Sequence, residues 1–257
     1  MRVKIGIQVR PQHVEFEAMR RAWRDAEELG VDTVFTWDHF FPLGGDPAGN
    51  HFECLTTMAS MAECTERVEI GALVCCNSYR NPELLADAHR TIDHISGGRV
   101  ILGIGAGWFE RDYDEYGYEF GTRGSRLRDL EAALPRIRSR LDKLQPPPLR
   151  RMPILIGGGG PKVTLRLVAE HGDAWHAFGD VETFKEKDGI LREHCARAGR
   201  DPAEIERTWV APEDGAAADA LVEAGVQEFI LGLDGKGPSY DLGRLRELIG
   251  WRDARGA

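Results

Sequence analysis

Nowhere in the sequence do eighteen apolar residues run together, so no membrane-spanning helix is expected. Cysteine is scarce and oddly counted: there are 5 cysteines, no Cys-x-x-Cys spacing, and an adjacent pair, Cys75-Cys76, that cannot easily bridge to itself. That pattern argues against a disulfide framework and fits reduced, cytosolic thiols, mostly packing residues. Positive charge is in deficit, with 33 Lys+Arg against 42 Asp+Glu and a net charge of -9. The mean surface field therefore repels polyphosphates and anionic bilayers, and neither nucleic acid nor a membrane is an expected partner, although a local basic pocket could hold one phosphate.

Several motifs are missing as well. The start, Met1-Arg-Val-Lys-Ile-Gly-Ile, enters an apolar strand without a long hydrophobic region or a small-residue cleavage site, so no export signal is expected and a cytoplasmic location is. The Gly-Lys-Ser/Thr of a nucleotide-triphosphate loop is absent, because Lys162 follows Pro161. The first strand ends in Gln8-Val9-Arg10 where a metal-dependent hydrolase of the same architecture would carry His-x-His, and His51-Phe-Glu53 lacks the Pro-Cys-x-x-Cys of a zinc deaminase. No metal site is assigned, and His171 and His176, which straddle a helix-to-strand junction, are read as structural.

What is present is a repeating grammar. Val3 to Val9 is a Val/Ile-rich run, and the segment from His13 to Leu29 carries Phe16, Met19, Trp23, Ala26 and Leu29 on one helical face before Gly30 stops it. The alternation continues through strands at 31–37, 68–76, 99–106, 152–156, 174–178, 205–210 and 227–233. Helices are expected at 52–64, 82–95, 125–144, 161–171, 182–199, 215–225 and 242–251. Pro135 should kink or divide the long fourth helix, and Pro161 should open the next one. Eight strands alternating with eight helices must pair in parallel through right-handed crossovers. The chain's 257 residues match the roughly 250 that such a closed structure needs. The expectation is an α/β fold, a (β/α)8 TIM barrel in a single domain over residues 1–257, with an open doubly wound sheet as the alternative.

Chemistry in such a barrel sits at the carboxyl ends of the strands. Asp38-His39 directly follows the second strand and would put a carboxylate and an imidazole at the mouth as candidate acid and base. Equally, Asp38 could cap the turn while His39 packs against Phe40 and Phe41. The four glycines Gly157, Gly158, Gly159 and Gly160 before Pro161 offer bare N–H groups to a phosphate, and four glycines are entropically expensive for a mere turn. Gly103-Ile-Gly105-Ala106-Gly107 is a weak half of a dinucleotide fingerprint, with Trp108 where the third glycine belongs. It reads either as close backbone approach to a ring or phosphate, or as a tight turn. The aromatic stretch from Trp108 to Phe120 would wall an apolar pocket or form core under a loop.

Taken in order, Trp37-Asp38-His39-Phe40, Ile70-Gly-Ala-Leu-Val74, Asn77-Ser-Tyr-Arg-Asn-Pro82, Ser96-Gly-Gly-Arg99 and the run to Trp108 resemble the luciferase-like monooxygenase superfamily. The likeness is greatest to its branch using the deazaflavin coenzyme F420. It covers residues 1–128 and resumes at Pro153-Ile-Leu-Ile-Gly-Gly-Gly-Gly-Pro161. The resemblance implies a non-proline cis peptide at Leu73-Val74 behind the cofactor ring, Asp38 and His39 beside it, Asn77, Gly105, Ala106, Gly107 and Trp108 along its channel, and Gly157 to Gly160 around its phosphate. It further implies hydride transfer between F420 and a small organic substrate, with His39 handling the proton. FMN on the same barrel is the alternative cofactor, a non-catalytic flavin-binding barrel a further one, and a homodimer is a plausible assembly by analogy. Trp108 stands where sugar-phosphate dehydrogenases of this branch carry Glu, and only a short triproline link follows the long helix, so glucose 6-phosphate is not expected.

Overall fold

The computed structural model describes residues 2–255. Its strands are β1 (Lys4–Val9), β2 (Thr33–Thr36), β3 (Glu69–Ala72), β4 (Cys75–Cys76), β5 (Val100–Gly105), β6 (Ile154–Gly157), β7 (Ala174–Ala177), β8 (Glu206–Val210) and β9 (Glu228–Leu233). They pair in parallel in the order β3-β2-β1-β9-β8-β7-β6-β5-β4, and β3 also pairs with β5, which closes the ring. Counting β3 and β4 as the two halves of one interrupted strand gives the expected eight-stranded barrel. The helices are α1 (Phe16–Leu29), α2 (Cys54–Cys64), α3 (Pro82–Ser96), α4 (Glu110–Tyr116), α5 (Arg123–Lys143), α6 (Thr164–His171), α7 (Val181–Ala198), α8 (Gly215–Ala224) and α9 (Gly243–Arg255).

Local chemistry sets most of the boundaries. Gly30, Gly97 and Gly225 end α1, α3 and α8 in left-handed conformations, each donating its N–H back into the last turn. Asn81 opens α3 by accepting from the N–H groups of Glu83 and Leu84, with Pro82 behind it. Two apolar layers follow. Trp23, Met58, Leu85, Leu130, Leu167 and their neighbours pack the helices onto the outside of the strands, while Phe35, Ile101, Leu155, Ala174 and Ile230 fill the barrel interior against Leu73 and Val74.

At the amino ends of the strands, charged side chains bind main chain. The Glu27 carboxylate accepts the N–H groups of Glu66, Arg67 and Val68, and the Arg99 guanidinium donates to the carbonyls of Ala62, Thr65, Val68 and Ser96.

Three expectations need correction. Pro135 does not divide the long helix: α5 runs unbroken from Arg123 to Lys143 with Pro135 on its exposed side, where the carbonyl that loses its partner can be hydrated. Pro161 does not open α6, which starts at Thr164 after a turn in which the Leu165 N–H reaches back to the Gly160 carbonyl. The aromatic stretch after Trp108 contains an unforeseen helix, α4, whose inward face is Asp112 and Tyr113.

Candidate active site

The carboxyl ends of the strands surround a cavity of about 660 Å3. One wall begins where β3 gives way to β4. The Leu73–Val74 peptide there is cis, and the Leu73 carbonyl accepts from Gln8 Nε2 at 2.6 Å. Val74 faces the ends of β5 and β6. A Cβ on Gly105 would come within 2.8 Å of Val74 Cγ2, and one on Gly157 within 2.9 Å of Val74 Cγ1, so these two positions admit only glycine while Val74 stands. Gly107 is bound to glycine twice over, by a φ of +80° and by Tyr113 Oη and Cys76 Sγ, which a Cβ would strike. The result is a strip of bare main chain from Gly105 to Gly107 and from Gly157 to Gly160, propped by one valine.

Beside this strip stands His39. Its Nδ1 lies 2.7 Å from Asp112 Oδ2, and the carboxylate, fully buried, also accepts from the Phe40 N–H at 3.1 Å and from the Tyr79 hydroxyl at 2.9 Å. A carboxylate can only accept, so the neutral imidazole carries its hydrogen on Nδ1 and keeps the Nε2 lone pair free. Trp37, Trp108 and Phe109 meet the ring edge-to-face at 5.7, 5.8 and 5.5 Å. This orienting carboxylate, 73 residues further along the chain, escaped the sequence reading.

Asp38 is differently placed. Arg80 grips its two oxygens at 2.5 and 2.9 Å, and the Cys76 N–H donates to it at 2.9 Å. The carboxylate lines the cavity but is compensated in full, so it anchors β4 to the second strand's end. The next histidine outward, His51, accepts from Trp37 Nε1 at 2.9 Å, and burial depresses its pKa to about 4, keeping it neutral.

At the glycine end, Gly158 has a φ of +120°, and its carbonyl is held by Trp175 Nε1 at 2.9 Å. Thr164, Arg123 and Arg126 line the cavity alongside it. Arg126 donates to the Gly107 carbonyl while lying 3.9 Å from the centre of the Phe120 ring. His176 closes this side, hydrogen-bonded to Thr208 Oγ1 at 2.9 Å and pushed by burial down to about 4, hence neutral.

Thus the cavity gathers Asp38, His39, Leu73, Val74, Gly105, Ala106, Gly107, Trp108 and Gly157 to Gly160. Asn77 is the exception: it sits in a turn behind β4, off the lining, with its Oδ1 buried and unpartnered. Among the described residues no three His, Cys, Asp or Glu side chains cluster as a metal site.

The luciferase-like monooxygenase family model matches residues 2–250. The chain belongs to that family. Among relatives of this luciferase-like barrel is an F420-dependent glucose-6-phosphate dehydrogenase of Amycolatopsis mediterranei (strain U-32), 32% identical over 168 residues, which are 58% of this chain and 50% of that protein. The chain thus spans half the length of that relative. Among solved structures, an F420-dependent secondary alcohol dehydrogenase in complex with an F420-acetone adduct superposes with a TM-score of 0.85 at 19% identity, over 98% of this chain and 99% of that one. The coenzyme F420-dependent tetrahydromethanopterin reductase from Methanopyrus kandleri follows at 0.77 and 16%, covering 97% and 98%. At those identities the likeness bears on the fold: both share this barrel nearly end to end.

Proposed function

We propose that this luciferase-like barrel is an oxidoreductase that moves a hydride between coenzyme F420 and a small organic substrate, with His39 moving the accompanying proton. The observation that carries the reading is the pairing of a valine-propped strip of bare main chain with an imidazole whose tautomer a buried carboxylate fixes. A flat tricyclic ring needs an apolar back and close main-chain approach, and Val74, Gly105 and Gly157 offer both. A phosphorylated tail needs N–H donors and positive charge, which Gly158 to Gly160, Thr164, Arg123 and Arg126 offer at the far end. When bound, the deazaflavin supplies a carbon centre that accepts or gives a hydride and reacts poorly with oxygen. The relatives whose names include F420 support that cofactor over FMN.

In this reading Leu73, Val74, Gly105, Ala106, Gly107 and Gly157 to Gly160 hold the cofactor, and Trp108 overhangs it from the rim. His39 gives or takes a proton at Nε2. Asp112 positions it through Nδ1, and Asp38 acts at one remove by pinning the Cys76 N–H and Arg80. Asn77, which does not reach the cavity, is left a supporting part beneath β4. Trp108 contributes no carboxylate at the rim, which argues against the acid–base chemistry of a sugar-phosphate dehydrogenase here. We also take residues 1–257 as one domain and the location as cytoplasmic, in keeping with five free thiols.

The test is a spectral titration of purified protein with each cofactor. Micromolar binding of F420, with a shift of its visible band and weaker retention of FMN, is expected. Tight FMN retention without affinity for F420 would overturn the cofactor assignment, and association with neither would overturn the redox function.

A further inference from the structure

The cavity has two unlike halves. One is the glycine strip on β5 and β6. The other, built by the ends of β1, β7, β8 and β9, presents side chains: Arg10, Phe178, Val210 and Ile230, with Trp108 across the mouth. Phe178 is 74% exposed and Trp108 63%, an apolar rim largely open to solvent.

Within the second half lies one charge that the proposed redox chemistry does not use. Arg10 follows β1, and its guanidinium rests over the Trp37 ring, 5.6 Å from the centroid. Gly232, on the neighbouring β9, makes the room: a Cβ there would come within 2.5 Å of Arg10 Nη2. Tyr240 Oη fixes the arginine's main chain by donating to its carbonyl at 2.7 Å. Among the described residues the guanidinium has a single hydrogen-bond partner, Asp234, at 2.5 Å from Nη1, and its Nε is buried with no acceptor. Of the guanidinium's N–H groups, the one on Nε is buried and one on Nη1 engages a carboxylate that is itself 61% exposed, which leaves the rest of the Nη1–Nη2 end unengaged.

Charge around the cavity favours an anion. Its lining contains Arg10, Arg123 and Arg126; its one carboxylate, Asp38, is already neutralised by Arg80, and the carboxylate that meets Arg10, Asp234, stands outside the lining and largely in solvent. Arg123 and Arg126 lie beside the glycine strip, where a cofactor phosphate is expected. In the eight-membered ring β1 stands four strands from β6 in either direction, so Arg10 is on the opposite wall from Gly157. It cannot serve the same phosphate.

We propose that Arg10 is a specificity-determining residue that receives the carboxylate of the substrate, and that the substrate class is a small alcohol or ketone bearing a carboxylate on an otherwise apolar body. The guanidinium fork offers a bidentate site for the acid group. Trp37, Trp108, Phe178 and Val210 accept the hydrocarbon, and His39 faces the carbon–oxygen group between them. The assignment of this anion to a substrate rests on the oxidoreductase reading given above; the anion selectivity itself does not.

The experiment uses the intact protein and two matched probes, 4-methylpentanoate and its neutral analogue 4-methylpentanamide. Binding is followed by quenching of the cavity tryptophans and by calorimetry, without cofactor. The acid should bind more tightly than the amide. Arg10→Met should weaken the acid about tenfold or more while leaving the amide within about twofold. Asp234→Asn, which removes the competing carboxylate, should tighten the acid a few-fold, a gain that a merely structural role for Arg10 would not produce. F420 affinity should stay within about threefold in both variants.

Equal binding of acid and amide by the parent protein, or an Arg10→Met variant that retains the acid, overturns the proposal. So does a large loss of F420 affinity in Arg10→Met, which would hand the residue to the cofactor. A parent protein that ignores F420 yet selects the acid through Arg10 would instead sink the redox reading and leave the anion site standing.

Discussion

Replacing Asp112 by Asn changes one atom type and no volume, yet it reverses the hydrogen-bond logic around His39. The carboxylate accepts from three donors: Phe40 N–H on Oδ1, and His39 Nδ1 and Tyr79 Oη on Oδ2. An asparagine has a single acceptor oxygen. If that oxygen stays with the Phe40 N–H, the amide NH2 faces His39 Nδ1, which must then accept, and the imidazole hydrogen moves to Nε2. If the amide turns over, NH2 opposes the Phe40 N–H, and a buried donor is stranded at a cost of about 1–3 kcal/mol. The first arrangement is cheaper, so the variant should fold and bind cofactor normally but present the wrong tautomer to the cavity. Correctly placed acid–base catalysis is worth about 10²–10⁴ in rate. We expect turnover to fall about 10²-fold, or about 2.7 kcal/mol on the barrier. F420 affinity should change less than about threefold, because Asp112 does not line the cavity. Under the function proposed above, stopped-flow absorbance of the F420 band during turnover measures the first quantity. Long-range 1H–15N spectra of the imidazole report the tautomer directly, without any substrate. A variant with unaltered rate and hydrogen still on Nδ1 would refute the argument.

Gly157→Ala should drive its new methyl into Val74 Cγ1, tilting that side chain into the cavity, so F420 affinity should drop about tenfold or more by absorbance titration. Burial, followed by the nearby Glu206, pushes the Glu228 carboxyl up to about 8. With the folded value above the unfolded one, the stability it contributes is intact below about pH 4.5 and is lost as pH rises through about 8. Glu228→Gln should therefore match the parent's melting temperature near pH 4 and exceed it at pH 8.5, by roughly 3 °C per kcal/mol in calorimetry. The opposite sign holds at Glu27, where burial raises the carboxyl but the N–H groups of Arg67, Val68 and Glu66 outweigh it and lower the pKa. Its contribution is present above the ordinary carboxylate range and fades in acid. Glu27→Gln should cost about 2 kcal/mol of unfolding free energy at pH 7 and progressively less toward pH 3 in denaturant titrations.

The barrel was legible because each repeat is punctuated by local chemistry. Gly30, Gly97 and Gly225 stop helices where left-handed residues are needed, and Asn81-Pro82 starts one, so strand and helix alternate visibly. Proline misled in both directions. At Pro135 the exposed face tolerates the missing hydrogen bond, and at Pro161 the glycine turn extends three residues further before helical bonding begins. The helix α4 was masked because its seven residues, Glu-Arg-Asp-Tyr-Asp-Glu-Tyr, have no apolar stripe; a buried carboxylate occupies part of the face that would show one. For the same reason Asp112 could not be read. Its function arises from a contact between segments far apart in the chain, and the only trace was an acidic residue at helical spacing among Phe109, Tyr113 and Tyr116. His39 and the glycine strip were visible since each follows a strand directly. Asn77 also follows one, but the short turn beginning there carries it behind the wall.

The Arg99 and Glu27 clasps at one pole and the naked glycine turns at the other separate two kinds of work. At the base, ions are spent on main-chain groups that join helix ends to the strands that follow, so stability is expected to answer to changes there. Under the function proposed above, reactivity is decided at the crown, where the side chains of Arg10, Phe178 and Val210 face the cavity instead of the core. Directed evolution confined to those crown positions can therefore redraw the catalyst's diet without first having to reinforce its frame.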